Sequence, residues 1–173
     1  MFKKIYLSLA LSLVAIAPAQ AMSVTDLAGL TTQLNNINTQ MNAIKRALNT
    51  ERAHIKMAEK ASTALYASVK PVLEKIIASD DFTTKMNTVV DMQFDAIINN
   101  NTPFSTIKTE NSLSDLFPNL TMSEYGRKLY TAMANKAYCL RLGQRLADKA
   151  REIAASIKSA QEATTSTQQP SYD

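Results

Sequence analysis

Few residues in this chain are chemically equipped for catalysis or metal binding, so they are considered first. The 173 residues contain one Cys, Cys139, one His, His54, and three glycines, Gly29, Gly126 and Gly143. A zinc site takes three or four N/S ligands, more than one imidazole and one thiol can supply, and a lone Cys forms no intrachain disulfide. His54 stands beside Ile55 with Glu51 and Glu59 within two helical turns. A metal there would need ligands from another chain, and the sequence predicts a partly exposed helix histidine instead. Cys139 lies between Tyr138 and Leu140, near Lys136 and Arg141. A reactive thiol needs a cationic, accessible setting, whereas Cys in such an apolar run is more often a small core residue. Among the carboxylates Glu74, Asp80, Asp81, Asp91 and Asp95, the pair Asp91 and Asp95 falls at i, i+4 on one helix surface without a pocket signal, which reads as a solvated face. The glycines are too few and too scattered for a phosphate-cradling loop, which needs several permissive positions close together. No catalytic, cofactor-binding or metal-binding residue is therefore expected, and the chain is expected to be no enzyme and to need no cofactor.

The elements that must carry these residues begin after a targeting segment. Lys3 and Lys4 precede an apolar run from Ile5 to Ala17, and Ala19-Gln20-Ala21 is a small-x-small cleavage pattern. Residues 1–21 thus read as a cleaved secretory signal. No later stretch is long and apolar enough to span a bilayer, and no membrane span is expected after cleavage. The remaining chain keeps 17 basic and 15 acidic side chains. These are segregated: the balance is positive from Met22 to Leu73, negative from Glu74 to Gly126, and positive again from Arg127 to Lys158. Basic charge spread along helices without interleaved aromatics does not make a nucleic-acid surface, so no nucleic-acid partner is expected.

Periodicity then sets the fold class. Ser23-Val24-Thr25-Asp26 reads as a capping box. Leu27, Leu30, Leu34, Ile37, Met41, Ile44 and Leu48 follow at spacings of 3 and 4 without a miss, a coiled-coil seam. Polar uncharged residues such as Asn35, Asn36 and Gln40 lie between them as an outer surface. The first helix is expected to fill 22–71 and to stop at Pro71, which removes an N–H and clashes with the preceding turn. Residues 72–120 read as a small helical lobe with its own aromatic core, since Phe82, Phe94, Phe104 and Phe117 fall there. Its main helix is expected to end at Asn99 to Pro103. Thr121-Met122-Ser123-Glu124 reads as a second capping box, opening a long Ala-rich helix over 121–163, and residues 164–173 have the composition of a disordered tail. The expectation is an all-α, elongated helical bundle. Its two long helices form an antiparallel coiled coil through Leu27, Leu34, Ile37, Met41 and Ile44 against Leu140, Ile153 and Ile157, and the lobe is a small appendage.

The signal, the Gln/Asn-rich helix exemplified by Leu30 to Ile44 (LTTQLNNINTQMNAI), the internal lobe and the helix exemplified by Leu140 to Ala150 (LRLGQRLADKA) together resemble the minor pilus subunit of bacterial type IV secretion and conjugation systems. The resemblance covers most of the chain after the signal and lies in architecture and composition, with no signature motif. It implies an exported, non-enzymatic protein of the periplasm, cell surface and pilus, built as a long helical bundle with an appendage. It also implies partners among other pilus and secretion subunits, and contact with a recipient or host cell. The family's bundle is usually completed by a further long helix. Either this chain is a shortened member, or residues 22–98 fold back at Pro71 to supply that helix.

Two functions fit these expectations: a structural and adhesive pilus component, or a free periplasmic coiled-coil chaperone or secreted helical effector gripping clients between its arms. For the first, the expected contact surface is the lobe tip, where Phe104, Ile107, Leu113, Leu116 and Phe117 sit among Asn, Ser and Thr, the mixture of apolar anchors and adaptable polar groups found at contact surfaces. The competing expectation is that Phe104 and Phe117 close the lobe's core.

Overall fold

The computed structural model describes residues 22–104, 116 and 122–166. The proposed signal, Thr121 and residues 167–173 lie outside these. The described chain is helix-dominated, with four helices and, among the described residues, no strand. Helix α1 spans Val24–Ala61, α2 Thr63–Ile77, α3 Asp80–Asn100 and α4 Glu124–Ser166.

Each boundary has a local cause. The capping box forms as the sequence predicts: Asp26 N–H donates to Ser23 Oγ at 3.1 Å, and Ser23 N–H donates back to the Asp26 carboxylate at 3.2 Å. The first helix, however, does not run to Pro71. It breaks at Ser62, whose backbone is extended (φ −158°, ψ 98°) and whose Oγ accepts the Leu65 N–H at 3.3 Å, capping α2. Pro71 lies inside α2. The missing proline N–H deprives only the Ala67 carbonyl, and both residues are exposed, so water can replace the lost donor. Ser79 caps α3 by accepting from Phe82 N–H, and α3 ends, as expected, at a left-handed Asn101 (φ 50°). The cap of α4 is Ser123, which accepts from Gly126 N–H at 3.2 Å. Glu124 is the first helical residue and pairs forward with Lys128 at 2.7 Å; Thr121, the opening residue of the expected box, lies outside the described residues. Helix α4 continues to Ser166, three residues into the stretch read as tail.

Helices α1 and α4 are antiparallel: Tyr125 near the start of α4 bonds Ala58 near the end of α1, while Gly143 faces Ile44. At 1.5 Å per residue their 38 and 43 residues make rods of about 57 and 64 Å. The seam is only partly the predicted one. Ile37, Ile44 and Ile153 are buried, but Leu27, Leu34, Met41 and Ile157 are half-buried, and Leu140 is on the outside at 45% exposure. Leu142 and Leu146 take the place expected of Leu140. Helix α4 carries apolar residues around much of its circumference, so spacing alone does not select the stripe that faces α1.

After Ser62 the chain doubles back, and α2 and α3 form the shorter appendage laid against the hairpin. Gln33 and Asn36 of α1 donate to the Ile98 and Ile97 carbonyls at 3.3 Å, and Arg141 of α4 donates to Asn87 at 3.1 Å. The third helical layer is thus supplied by folding back, at Ser62 and not at Pro71. The expected separate aromatic core is absent among the described residues: Phe82 meets Tyr130 edge-on at 6.4 Å, and Phe104 stacks on Tyr138 at 6.2 Å. These rings join one continuous core with Ile37, Leu73, Met86, Leu142 and Leu146. Each such side chain contributes about 1.5–3 kcal/mol by leaving water. The lobe is too small to bury its rings alone, and α4 supplies the missing partners.

Candidate functional site: a groove beside the helix corner

The face of α1 that meets α3 continues, at helical spacing, from Asn36 and Gln40 to Glu51, His54, Ala58 and Ala61. Along this upper stretch, Glu51 to Ala61 and Glu124 to Asn135 enclose an open groove of about 890 Å³. Its apolar floor comprises Met57, Ala58, Ala61 and Ala132. The rim carries Glu51 with His54 Nδ1 at 3.2 Å, Glu124 with Lys128, and Arg127. Asn135 adds a buried Oδ1 without a hydrogen-bond partner.

Tyr125 fixes the end of the groove. Its hydroxyl donates to the Ala58 carbonyl at 2.7 Å and lies 3.4 Å from the Ser62 carbonyl, ending α1 against the start of α4. Burial, then the nearby Tyr66 and Glu59, raise its pKa, so the phenol keeps its donor proton. The sequence marks Tyr125 only as one apolar-stripe residue. The signal available was Ser62 followed by Thr63, an N-cap type after a Lys-containing turn.

The other chemically notable residues are accounted for locally. Cys139 is buried, and burial first, then the Glu51 charge, push its thiol from 9.0 to about 11. It is a core residue. Asp91 pairs with Arg145, whose guanidinium also sits 4.6 Å from the Phe94 ring centre, while Asp80 and Asp95 are exposed. Among the described residues no group of three His, Cys, Asp or Glu could hold a metal ion. The groove offers shape and an apolar floor, the features of a cleft that takes a helix or side-chain anchor.

Of the proposed contact residues, Phe104 and Leu116 are buried. Phe104 N–H donates to Gln40 Oε1, and the Leu116 carbonyl accepts from Tyr130. Phe104 thus fits the reading in which it closes a core, and Phe117, the other ring of that reading, lies outside the described residues, as do Ile107 and Leu113. No described helix is long and apolar enough to cross a membrane. No protein-family model, curated protein or solved structure matches the chain.

Proposed function

We propose that the chain is an exported, non-enzymatic component of a bacterial type IV secretion or conjugation system, a minor pilus subunit acting in pilus assembly and in contact with a recipient or host cell. The supporting observation is the architecture: an antiparallel pair of helices of 38 and 43 residues with a shorter helical appendage folded against it. A rod of that length holds one end away from whatever anchors the other, and irregular segments on rigid scaffolds are where recognition usually resides. In this reading the protein acts in the periplasm and on the pilus, with other pilus and secretion subunits as partners. With Phe104 and Leu116 committed to the core, cell contact falls to Ile107, Leu113 and Phe117.

Removing the protein from a producing cell should abolish pilus-dependent transfer, and the intact chain should restore it. Replacing Ile107, Leu113 and Phe117 together by Ser should lower transfer while export and helical content stay unchanged. Normal transfer without the protein contradicts the reading. The groove favours a second reading, in which a free periplasmic chaperone grips clients. Ala58→Arg, which obstructs the groove floor, should then impair client protection and leave pili intact.

A further inference from the structure

Charge neutralisation is uneven over this molecule. Helices α2, α3 and α4 pair many of their charges within the chain, as in Lys70 with Glu74, Lys85 with Asp81, Arg145 with Asp91 and Lys149 with Glu152. The second half of α1 does not. Lys45, Arg46, Arg52, Lys56 and Lys60 are all exposed, and among the described residues none has an ion-pair partner. Lys45, Arg52, Lys56 and Lys60 fall at i, i+7, i+11 and i+15, which is one helix face that also carries the exposed Glu59 and keeps a positive balance. Asn36, which meets α3, is nine residues before Lys45, about half a turn out of phase at 3.6 residues per turn. The basic face therefore points away from α3.

Helix α3 presents the complement. Asp80, Asp81, Asp91 and Asp95 share its outward face; Asp81 and Asp91 are paired with Lys85 and Arg145, and among the described residues Asp80 and Asp95 have no ion-pair partner. From Asp80 to Asp95 the acidic face runs about 22 Å, the same length as Lys45 to Lys60 at 1.5 Å per residue. Each face also has an exposed apolar side chain beside it: Met57 and Met92 are both 57% exposed. Methionine adapts to irregular contacts and is common at such surfaces.

The geometry points to a second copy of this chain as the partner of the basic face of α1, docked there through the outer face of its own α3. Because the two faces point to opposite sides of the molecule, one two-fold dimer cannot engage both. Each copy meets two neighbours, and the contact is head-to-tail, giving a chain or a ring. Opposite charges steer the copies together, and Met57 and Met92 supply apolar contact at the flank. This contact rests on the charge pattern alone and does not depend on the pilus reading.

Sedimentation velocity of the chain from Met22 onward tests it. At 0.01 M salt, where exposed charges act over about 30 Å, species larger than the monomer are expected. At 1 M, where the range is about 3 Å, they should dissociate. Arg52→Glu with Lys56→Glu should be monomeric at low salt, and so should Asp80→Lys with Asp95→Lys. All four positions are exposed, and unchanged circular dichroism verifies that the variants fold. Mixing the two variants should restore association, because each reversed face then meets an opposite one. A wild-type chain that is monomeric at low salt overturns the proposal, as does association that survives either reversal. A mixture that stays monomeric, or stops at a symmetric dimer, also overturns it. Monomeric protein that instead binds anionic vesicles or another acidic protein through Arg52 and Lys56 would assign the basic face to that partner.

Discussion

Gln40 is buried among apolar neighbours because its amide satisfies groups that water no longer reaches. Its Oε1 accepts the buried Phe104 N–H, and its Nε2 donates to Asn36. Gln40→Leu adds apolar area yet leaves that N–H unpaired, so stability should fall by about 1–3 kcal/mol, readable from urea denaturation midpoints at unchanged slope. Cys139 gives a second test. Burial holds the thiol at about 11, above its ordinary 9.0, so the folded state retains a proton that the unfolded state has already released between these values. Its contribution to stability is complete below about pH 9 and is lost as pH rises toward 11. Tyr130, pushed up to about 12 by burial, acts in the same direction. Thermal midpoints should therefore decline above pH 9, and thiol reagents near neutral pH should label Cys139 only after unfolding. The burial of Cys139 and the solvated state of Asp95 were legible in residue type and spacing. The inward turn of Gln40 was not, because an Asn/Gln row reads as surface until a helix end is brought against it.

At the scale of the element, the corner at Ser62 decides the topology. Its hydroxyl caps α2, and Tyr125 bonds the carbonyls on the α1 side. Ser62→Ala should cost about 0.5–2 kcal/mol through the lost cap, and Tyr125→Phe about 1 kcal/mol through the lost hydrogen bond. Pro71→Ala should have the opposite sign: it returns an N–H to the α2 ladder, so thermal stability should rise with the topology unchanged. If Pro71→Ala instead made one uninterrupted helix of α1 and α2, with a longer hydrodynamic shape, the corner would be wrongly placed. The seam of α1, the capping box at Ser23 and the stop at Asn101 were all readable, because each is a local pattern with one solution. The break was misplaced because a proline is a strong local signal, while the reversal at Ser62 is completed by a tyrosine 63 residues away. The interior face of α4 was obscured by its abundance of small apolar residues, and only the positions of α1 and α3 decide that Leu142 is buried and Leu140 exposed.

At the scale of the whole molecule, burial on α4 of the rings expected to form a separate core makes rod and appendage one folding unit. Met86→Ala on α3 should therefore lower the melting transition of the whole chain, by about 2–5 kcal/mol, in one cooperative step. An earlier, separate transition for α3 would show that the appendage stands apart. The rod is long enough to extend from an anchored base, and the groove and the basic face of α1 lie along its sides. The most direct measurement is recovery of the protein from sheared surface appendages of a producing cell, with its amino terminus read by mass spectrometry. The account predicts a chain that starts at Met22, present with the major pilin and in smaller amount. A chain that retains residues 1–21 in the cytoplasm, or a processed chain found free in the periplasm and never with pili, would contradict it.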